Sequence, residues 1–224
     1  MEFGKAFTFA FEDRDWLKKI GIGGLLLLIP LIGSFFLLGW VVELVRRVIL
    51  NDPEPLPDWS NLMDYLVKGF QAWVISLVYS LPIIILSVCT NTVPLLLQGN
   101  GGDDTMATIV ALLSICFGCV IFLFSLALGF VLPAALGQFA ATGQMGAAFR
   151  FSEVFALVRA APMAFLLTLL GSVLASIVAS LGIILCIIGV IFTSAWAATV
   201  TGHLYGQAYK TASASRGMPA SPAY

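Results

Sequence analysis

Charge is what this chain has least of. Asp, Glu, Lys and Arg make up 10% of its 224 residues, against about a quarter in an ordinary soluble domain. Hydrophobic residues make up 60%, and the mean hydropathy is +1.01. A soluble fold has no interior large enough for that much apolar surface. The formal charge is −1 and there is no Lys/Arg-rich run, so the basic footprint of a nucleic-acid binder is missing. Cysteine is also scarce. Cys89, Cys116, Cys119 and Cys186 all lie inside apolar runs, the wrong setting for a secreted disulfide framework. Cys116 and Cys119 form a C-x-x-C, but no His or acid stands near to complete a metal site, and they are read as packing residues.

Catalytic parts are missing too. Residues 69–142 carry charge only at Asp103 and Asp104, and 163–202 carry none, whereas ion-coupled carriers and proton relays place ionisable groups inside their spans. The sequence holds no nucleophile beside a base, no carboxylate pair at depth and no phosphate-cradling glycine loop. His203 is the single histidine and makes neither a triad nor a metal site. It is read as an interfacial hydrogen-bonding group, with pH sensing as the alternative. The expectation is therefore a protein that is not an enzyme, with no catalytic residue, no cofactor and no metal. Glu2, Glu12, Asp13 and Asp15 precede Trp16, and no small-residue cleavage site follows the first apolar run. That run does not read as a signal peptide.

What the chain has is apolar length. A spanning helix needs about 20 apolar residues, and that length divides the sequence. The first run, Ile20–Val42, holds Pro30 near its middle. A polar connector, Glu43–Lys68, includes the proline-rich 51–57 and reads as a stiff loop. A second span covers about 69–97, interrupted by Pro82 and Pro94. The glycine-rich turn 98–104 follows, with Asp104 or Thr105 available as a cap, and a third span covers about 106–131, continuing past Pro133 to Thr142. In 147–161, Phe151, Val154, Phe155 and Val158 fall at i, i+3, i+4, i+7, as in an amphipathic helix lying in the interface. The uncharged block 163–202 is about twice one span and reads as two helices turning at Ser180-Leu181-Gly182. From Lys210 onward the tail is small, polar and expected to be disordered.

The basic residues decide between topologies, because Lys and Arg accumulate on the cytoplasmic side. If Ile20–Val42 crosses the membrane, Lys5, Arg14, Lys18 and Lys19 are separated from Arg46, Arg47, Lys68, Arg150, Arg159, Lys210 and Arg216. If it bends near Pro30 and returns, all eleven face the cytoplasm. The fold class expected is an all-α integral membrane protein with four spanning helices, an N-terminal Pro-broken hydrophobic hairpin and interfacial amphipathic helices; five spanning helices is the alternative. Residues 1–209 form a single membrane domain and 210–224 the polar tail. A match of Ala6-Phe7-Thr8-Phe9 with Ala148-Phe149-Arg150-Phe151 suggests a weak internal repeat.

Several residues carry structural expectations. Asp15-Trp16 and Asp58-Trp59 read as a helix cap followed by a headgroup-level anchor. Ser172, Ser176 and Ser180 form one small-residue ladder and Ala198, Gly202 and Gly206 another, both suited to close helix approach. Asn91 and Gln138 are the strongest polar groups within the long apolar runs.

Together Phe9, Trp16-Leu17-Lys18-Lys19-Ile20-Gly21, Ile29-Pro30, Gly39-Trp40 with Arg46-Arg47, Leu56-Pro57-Asp58-Trp59, Tyr79 with Pro82, Ala148-Phe149-Arg150-Phe151 and His203-Leu204-Tyr205-Gly206-Gln207 resemble a prokaryotic family of polytopic membrane proteins described as domain of unknown function 4013. Leu-Pro-x-Trp is the most specific element, and Trp40 departs from the Tyr expected after the glycine. The resemblance implies location and architecture and carries no catalytic residue. The function expected is a non-enzymatic scaffold or accessory subunit in a prokaryotic inner membrane. Its partners would be the lipid bilayer, other membrane subunits, or a second copy through small-residue faces; nucleic acid is not expected. A channel or facilitator for a small neutral solute is the alternative.

Overall fold

The computed structural model describes residues 2–98 and 104–218. The described residues are helical, with no strand among them: α1 (Lys5–Glu12), α2 (Trp16–Leu26), α3 (Ile32–Leu50), α4 (Leu62–Gln98), α5 (Asp104–Thr142), α6 (Met145–Ala148), α7 (Phe151–Ala160), α8 (Pro162–Leu181), a 3₁₀ turn (Gly182–Leu185) and α9 (Cys186–Ser215). Three of these helices are long and apolar enough to cross a membrane: Leu62–Thr92, Ala107–Thr142 and Pro162–Ile184. The segment 99–103, read from the sequence as a turn, and the last six residues lie outside the described residues, as do the side chains of Asp104 and Cys186.

The first apolar run is not one helix. Pro30 has no amide to donate, and Leu31 takes a positive φ of 63°. The Ile32 amide donates to the Pro30 carbonyl at 2.7 Å, closing a γ-turn centred on Leu31, a strained conformation for a side chain with a Cβ. Beyond it α3 folds back along α2. A Cβ on Gly33 would land on the Leu26 carbonyl, and one on Gly23 would meet Leu37 at 3.3 Å. The run is thus an antiparallel hairpin that bends where the proline placed the break.

The chain divides into two compact units, residues 1–75 with 130–224, and 76–129. Hydropathy is nearly uniform along the apolar helices and so carries no mark of this division. The second unit consists of the apolar parts of α4 and α5, with Leu81, Ile85, Val88, Leu112, Ile115, Phe122 and Leu123 exposed. Cys89, Cys116 and Cys119 are exposed there as well. The two C-x-x-C thiols therefore do not pack inside the chain, because their side of α5 faces outward.

In the larger unit α9 is the central element. Leu44 and Val41 sit against Gly202, and Val48 against Gly206; Leu204 sits under Gly171 and Tyr209 against Gly137. The Ala198/Gly202/Gly206 ladder is thus where α3 rests on α9. The second ladder differs: Ser176 and Ser180 are exposed and return their hydroxyls to the carbonyls of Ser172 and Ser176 at 2.8 and 2.9 Å. Another close crossing joins α3 to the start of α4, where Gly39 and Gly69 meet backbone to backbone.

Two boundaries and one helix face differ from expectation. α3 continues through Glu43–Leu50, because Val45, Val48 and Ile49 on this charged stretch are buried; the loop between α3 and α4 is therefore only 51–61. α9 continues to Ser215, so residues 210–215 are not a disordered tail. Ala212 and Ser213 are buried, and Lys210 Nζ donates to Asn51 Oδ1. In α7 the inward face is Val154 and Leu157, while Phe151 and Phe155 are exposed, so the stripe read from the sequence divides between two faces.

Candidate functional site

The chemistry-bearing residues of the larger unit meet around the loop after α3. Leu56 is fully buried, which brings the backbone of 56–58 into contact with α2, α3 and α4. Three successive carbonyls are then satisfied by side chains, as buried acceptors must be. The Leu56 carbonyl accepts from Lys19 Nζ at 3.0 Å and from Arg47 at 3.5 Å. The Pro57 carbonyl accepts from Trp40 Nε1 at 2.8 Å. The Asp58 carbonyl accepts from the Tyr65 hydroxyl at 2.6 Å.

Lys19 is the hub. Its side chain is 9% exposed, and its ammonium bonds Asp13, 10% exposed, at 2.8 Å and reaches Asp58 at 3.4 Å. Burial by itself disfavours the charged amine, but the hydrogen bond and charge of Asp13, with Asp58 behind it, prevail and raise its pKa above the ordinary 10.5. The other end of the residue holds Trp59, whose indole N–H donates to the Lys19 carbonyl at 2.7 Å. Trp59 stacks on Trp40 with centroids 5.3 Å apart and planes 4° apart, and Tyr65 meets it edge-on at 5.8 Å. Trp59 is therefore an internal brace between α2 and α3 rather than a headgroup anchor. Neither Asp15 nor Asp58 caps a helix through its side chain as the sequence suggested. Asp15, at the N-cap of α2, makes no side-chain cap bond and instead gives its amide to Asp13 at 2.8 Å; Asp58 stands before the loop ends, short of α4, and points to Lys19.

A second charged group adjoins the first. Glu43 accepts from Lys68 at 2.7 Å and lies within 4 Å of Arg46 and Arg47, while Lys68 also holds Asp64 at 2.7 Å. Since Glu43 stands between Val41 and Leu44, both against Gly202, this polar level coincides with Gly202 on α9. Nearby, His203 is buried, stacked on Phe9 at 4.0 Å and bonded to Gln207 at 2.7 Å. The side chain of Gln207 also accepts from the Glu2 amide at 2.9 Å. The N-terminal segment is thus held against α9 at this level.

The remaining polar candidates belong to different units. Asn91, in the smaller unit, is exposed and donates to Ser87 of its own helix at 2.7 Å. Gln138, in the larger one, is buried and donates to Glu153 at 2.8 Å. The side chains assembled around Lys19 form an ion-paired clamp whose donors and acceptors are spent on one another and on backbone. What this arrangement does chemically is hold a hairpin shut.

An all-helical chain with apolar helices of membrane-spanning length and an internal charged clamp is a helical membrane protein in its build. It belongs to the family described as Protein of unknown function (DUF4013), whose model matches residues 22–188. The match takes in Ile29-Pro30, Gly39-Trp40, Leu56-Pro57-Asp58-Trp59 and Ala148-Phe149-Arg150-Phe151; Lys19 and His203 stand outside it. No curated protein and no solved structure matches the chain.

Proposed function

We propose that the chain is a non-enzymatic scaffold or accessory subunit of a larger membrane assembly, and that it shapes the leaflet it enters. The observation that carries the reading is the contact of Lys19 with Leu56 and Asp58. A single helix over 20–42 would hold its ends about 33 Å apart, the thickness of the hydrocarbon core. Here the polar groups before the run bond directly to those after it. The run then enters and leaves on one side, and all eleven basic residues can obey the positive-inside rule. The N-terminus, the proline-rich loop and the C-terminal end of α9 are cytoplasmic in this reading, and the membrane is the inner membrane of a prokaryote. The hairpin tip suits hydrocarbon: Leu25, Leu28, Ile29, Leu31 and Ile32 are between 46% and 78% exposed. Phe151 and Phe155 on α7 suit the interface of the same side.

The test is purification in a native-membrane detergent followed by mass spectrometry of bound proteins and lipids, together with imaging of reconstituted liposomes. A co-purifying membrane subunit or tubulated liposomes is the expected result. A lone monomer with no effect on liposome shape sinks the proposal. The second reading, a facilitator for a small neutral solute, draws on an open groove of about 300 Å³ along α8 lined by Ser172, Val173, Ser176, Ile177 and Ser180. Proteoliposome swelling in polyols would favour it.

A further inference from the structure

We infer that α8 and α9 form a second re-entrant hairpin, whose turn ends within the bilayer and whose partner is the acyl-chain region of the leaflet that the first hairpin enters. This rests on the reading of the larger unit as membrane-embedded and extends it to α8, which by length and composition qualifies to cross, and to its neighbour α9.

Depth is the first argument. The charged level is fixed on α9 at Gly202 through Val41 and Leu44, which flank Glu43, and Leu204 just beyond lies under Gly171 of α8. From there to the turn, residues 171–181 of α8 rise about 15 Å and residues 186–204 of α9 about 27 Å. Both fall short of the roughly 30 Å hydrocarbon core. The first turns of α8 lie on the far side of that level from the turn and follow directly on Arg159 and α7. The first hairpin reaches a similar depth, since Gly24, near its tip, abuts Ile191.

The second argument is the chemistry of the turn. The segment 181–188 reads Leu-Gly-Ile-Ile-Leu-Cys-Ile-Ile, and Leu181, Ile183 and Ile184 are 56%, 73% and 75% exposed. A turn in water would present none of these. A turn in hydrocarbon must satisfy its own backbone, because no water is there to do it. This one does so in several ways. The Gly182 amide returns to the carbonyls of Ala179 and Ser180. The Thr193 hydroxyl lies 2.9 Å from the Ala179 carbonyl and 2.8 Å from that of Gly189, bridging the open end of α8 to α9. Ser180 gives its hydroxyl to Ser176. Gly182 is required here, since a Cβ would strike Thr193 Oγ1 and the Gly189 carbonyl. The hairpin closes backbone to backbone, and the exposed Ser180 hydroxyl at its tip is spent on its own helix.

The experiment uses the full chain with Cys89, Cys116, Cys119 and Cys186 replaced by alanine, probed in spheroplasts and inverted vesicles with a membrane-impermeant maleimide. Single cysteines replace Ile184 or Ile183 at the second tip, Leu28 at the first, and Glu54 as the cytoplasmic reference. Both tips are expected to react about tenfold or more slowly than Glu54→Cys from either side, and to react readily after detergent is added. A bimane at 184 should be quenched by nitroxides placed deep on acyl chains. Labelling of Ile184→Cys from the face opposite Glu54→Cys would show a full crossing and overturn the inference. Labelling from the same face would show an uninserted hairpin and overturn it as well. Leu28→Cys separates this from the first hairpin: if Leu28 stays shielded while Ile184 is reached, only the inference about α8 and α9 fails. If Leu28 reacts from the face opposite Glu54, the re-entrant reading of Ile20–Val42 fails instead.

Discussion

Replacing Lys19 by methionine tests the clamp where it carries most weight. Methionine keeps most of the stem's volume, so the loss falls on the ammonium. That ammonium neutralises Asp13, whose side chain is 10% exposed, and fills one acceptor site on the buried Leu56 carbonyl. Breaking a buried pair by removing one partner costs about 3–5 kcal/mol, because the remaining charge is left uncompensated. Two features reduce that figure here. Asp13 keeps the Asp15 amide, and Asp58 can turn to solvent, being 73% exposed. A loss of about 2–4 kcal/mol is therefore expected. Asp13→Asn should cost a comparable amount, and the double variant little more than either single one, since the two share one interaction. Denaturant titration in lipid nanodiscs, followed by tryptophan fluorescence, gives all corners of the cycle. Additive losses would refute the pairing, and a wild-type midpoint for Lys19→Met would refute the whole clamp. Alkali supplies an independent check. With a folded pKa raised above 10.5, the native state holds this proton more tightly than the unfolded chain. The stabilisation is complete below pH 10.5 and is lost as pH rises through the folded value; the part of the alkaline loss due to Lys19 should vanish in Lys19→Met.

Other substitutions separate the remaining contributions. Trp59→Phe keeps a ring against Trp40 but loses the bond to the Lys19 carbonyl, and should cost about 1 kcal/mol for the unmade bond plus a few tenths for the smaller stack; a wild-type midpoint in the same titration would be inconsistent with its bracing role. Gly39→Ala or Gly69→Ala places a methyl group on the facing backbone and should cost about 3 kcal/mol or more, at the high end for overpacking. Gly118→Ala meets nothing within 4 Å and should be neutral or stabilising by up to about 1 kcal/mol through helix propensity. Equal effects at Gly39 and Gly118 would undo the crossing. Leu31→Gly should stabilise by about 1 kcal/mol by relieving the positive φ, whereas Leu31→Ala should not; the comparison is again the unfolding midpoint.

How much of this could be read in advance depends on what opposed what. The membrane class follows from composition, and the bend follows from Pro30 together with the distribution of Lys and Arg, because both constraints hold wherever the helices pack. Leu-Pro-Asp-Trp stood out as a segment, but its role did not. A Trp after an Asp at the edge of an apolar run reads as a headgroup anchor, and only the fold shows its N–H on the Lys19 carbonyl. Lys19 itself was indistinguishable from Lys18 beside it; one is buried and the other exposed, and adjacent residues in a helix differ in direction by about 100°. The same ambiguity divided the stripe on α7. In a soluble protein an apolar face points to the core, but in a bilayer lipid and protein interior attract the same side chains, so hydropathy cannot tell Val154, which is buried, from Phe155, which is exposed. Polar groups that must find a hydrogen-bonding partner break that symmetry. For this reason the Lys19 ammonium, the Trp59 indole and the Thr193 hydroxyl, rather than the long apolar helices, fix where the two hairpins turn back and how firmly each is closed.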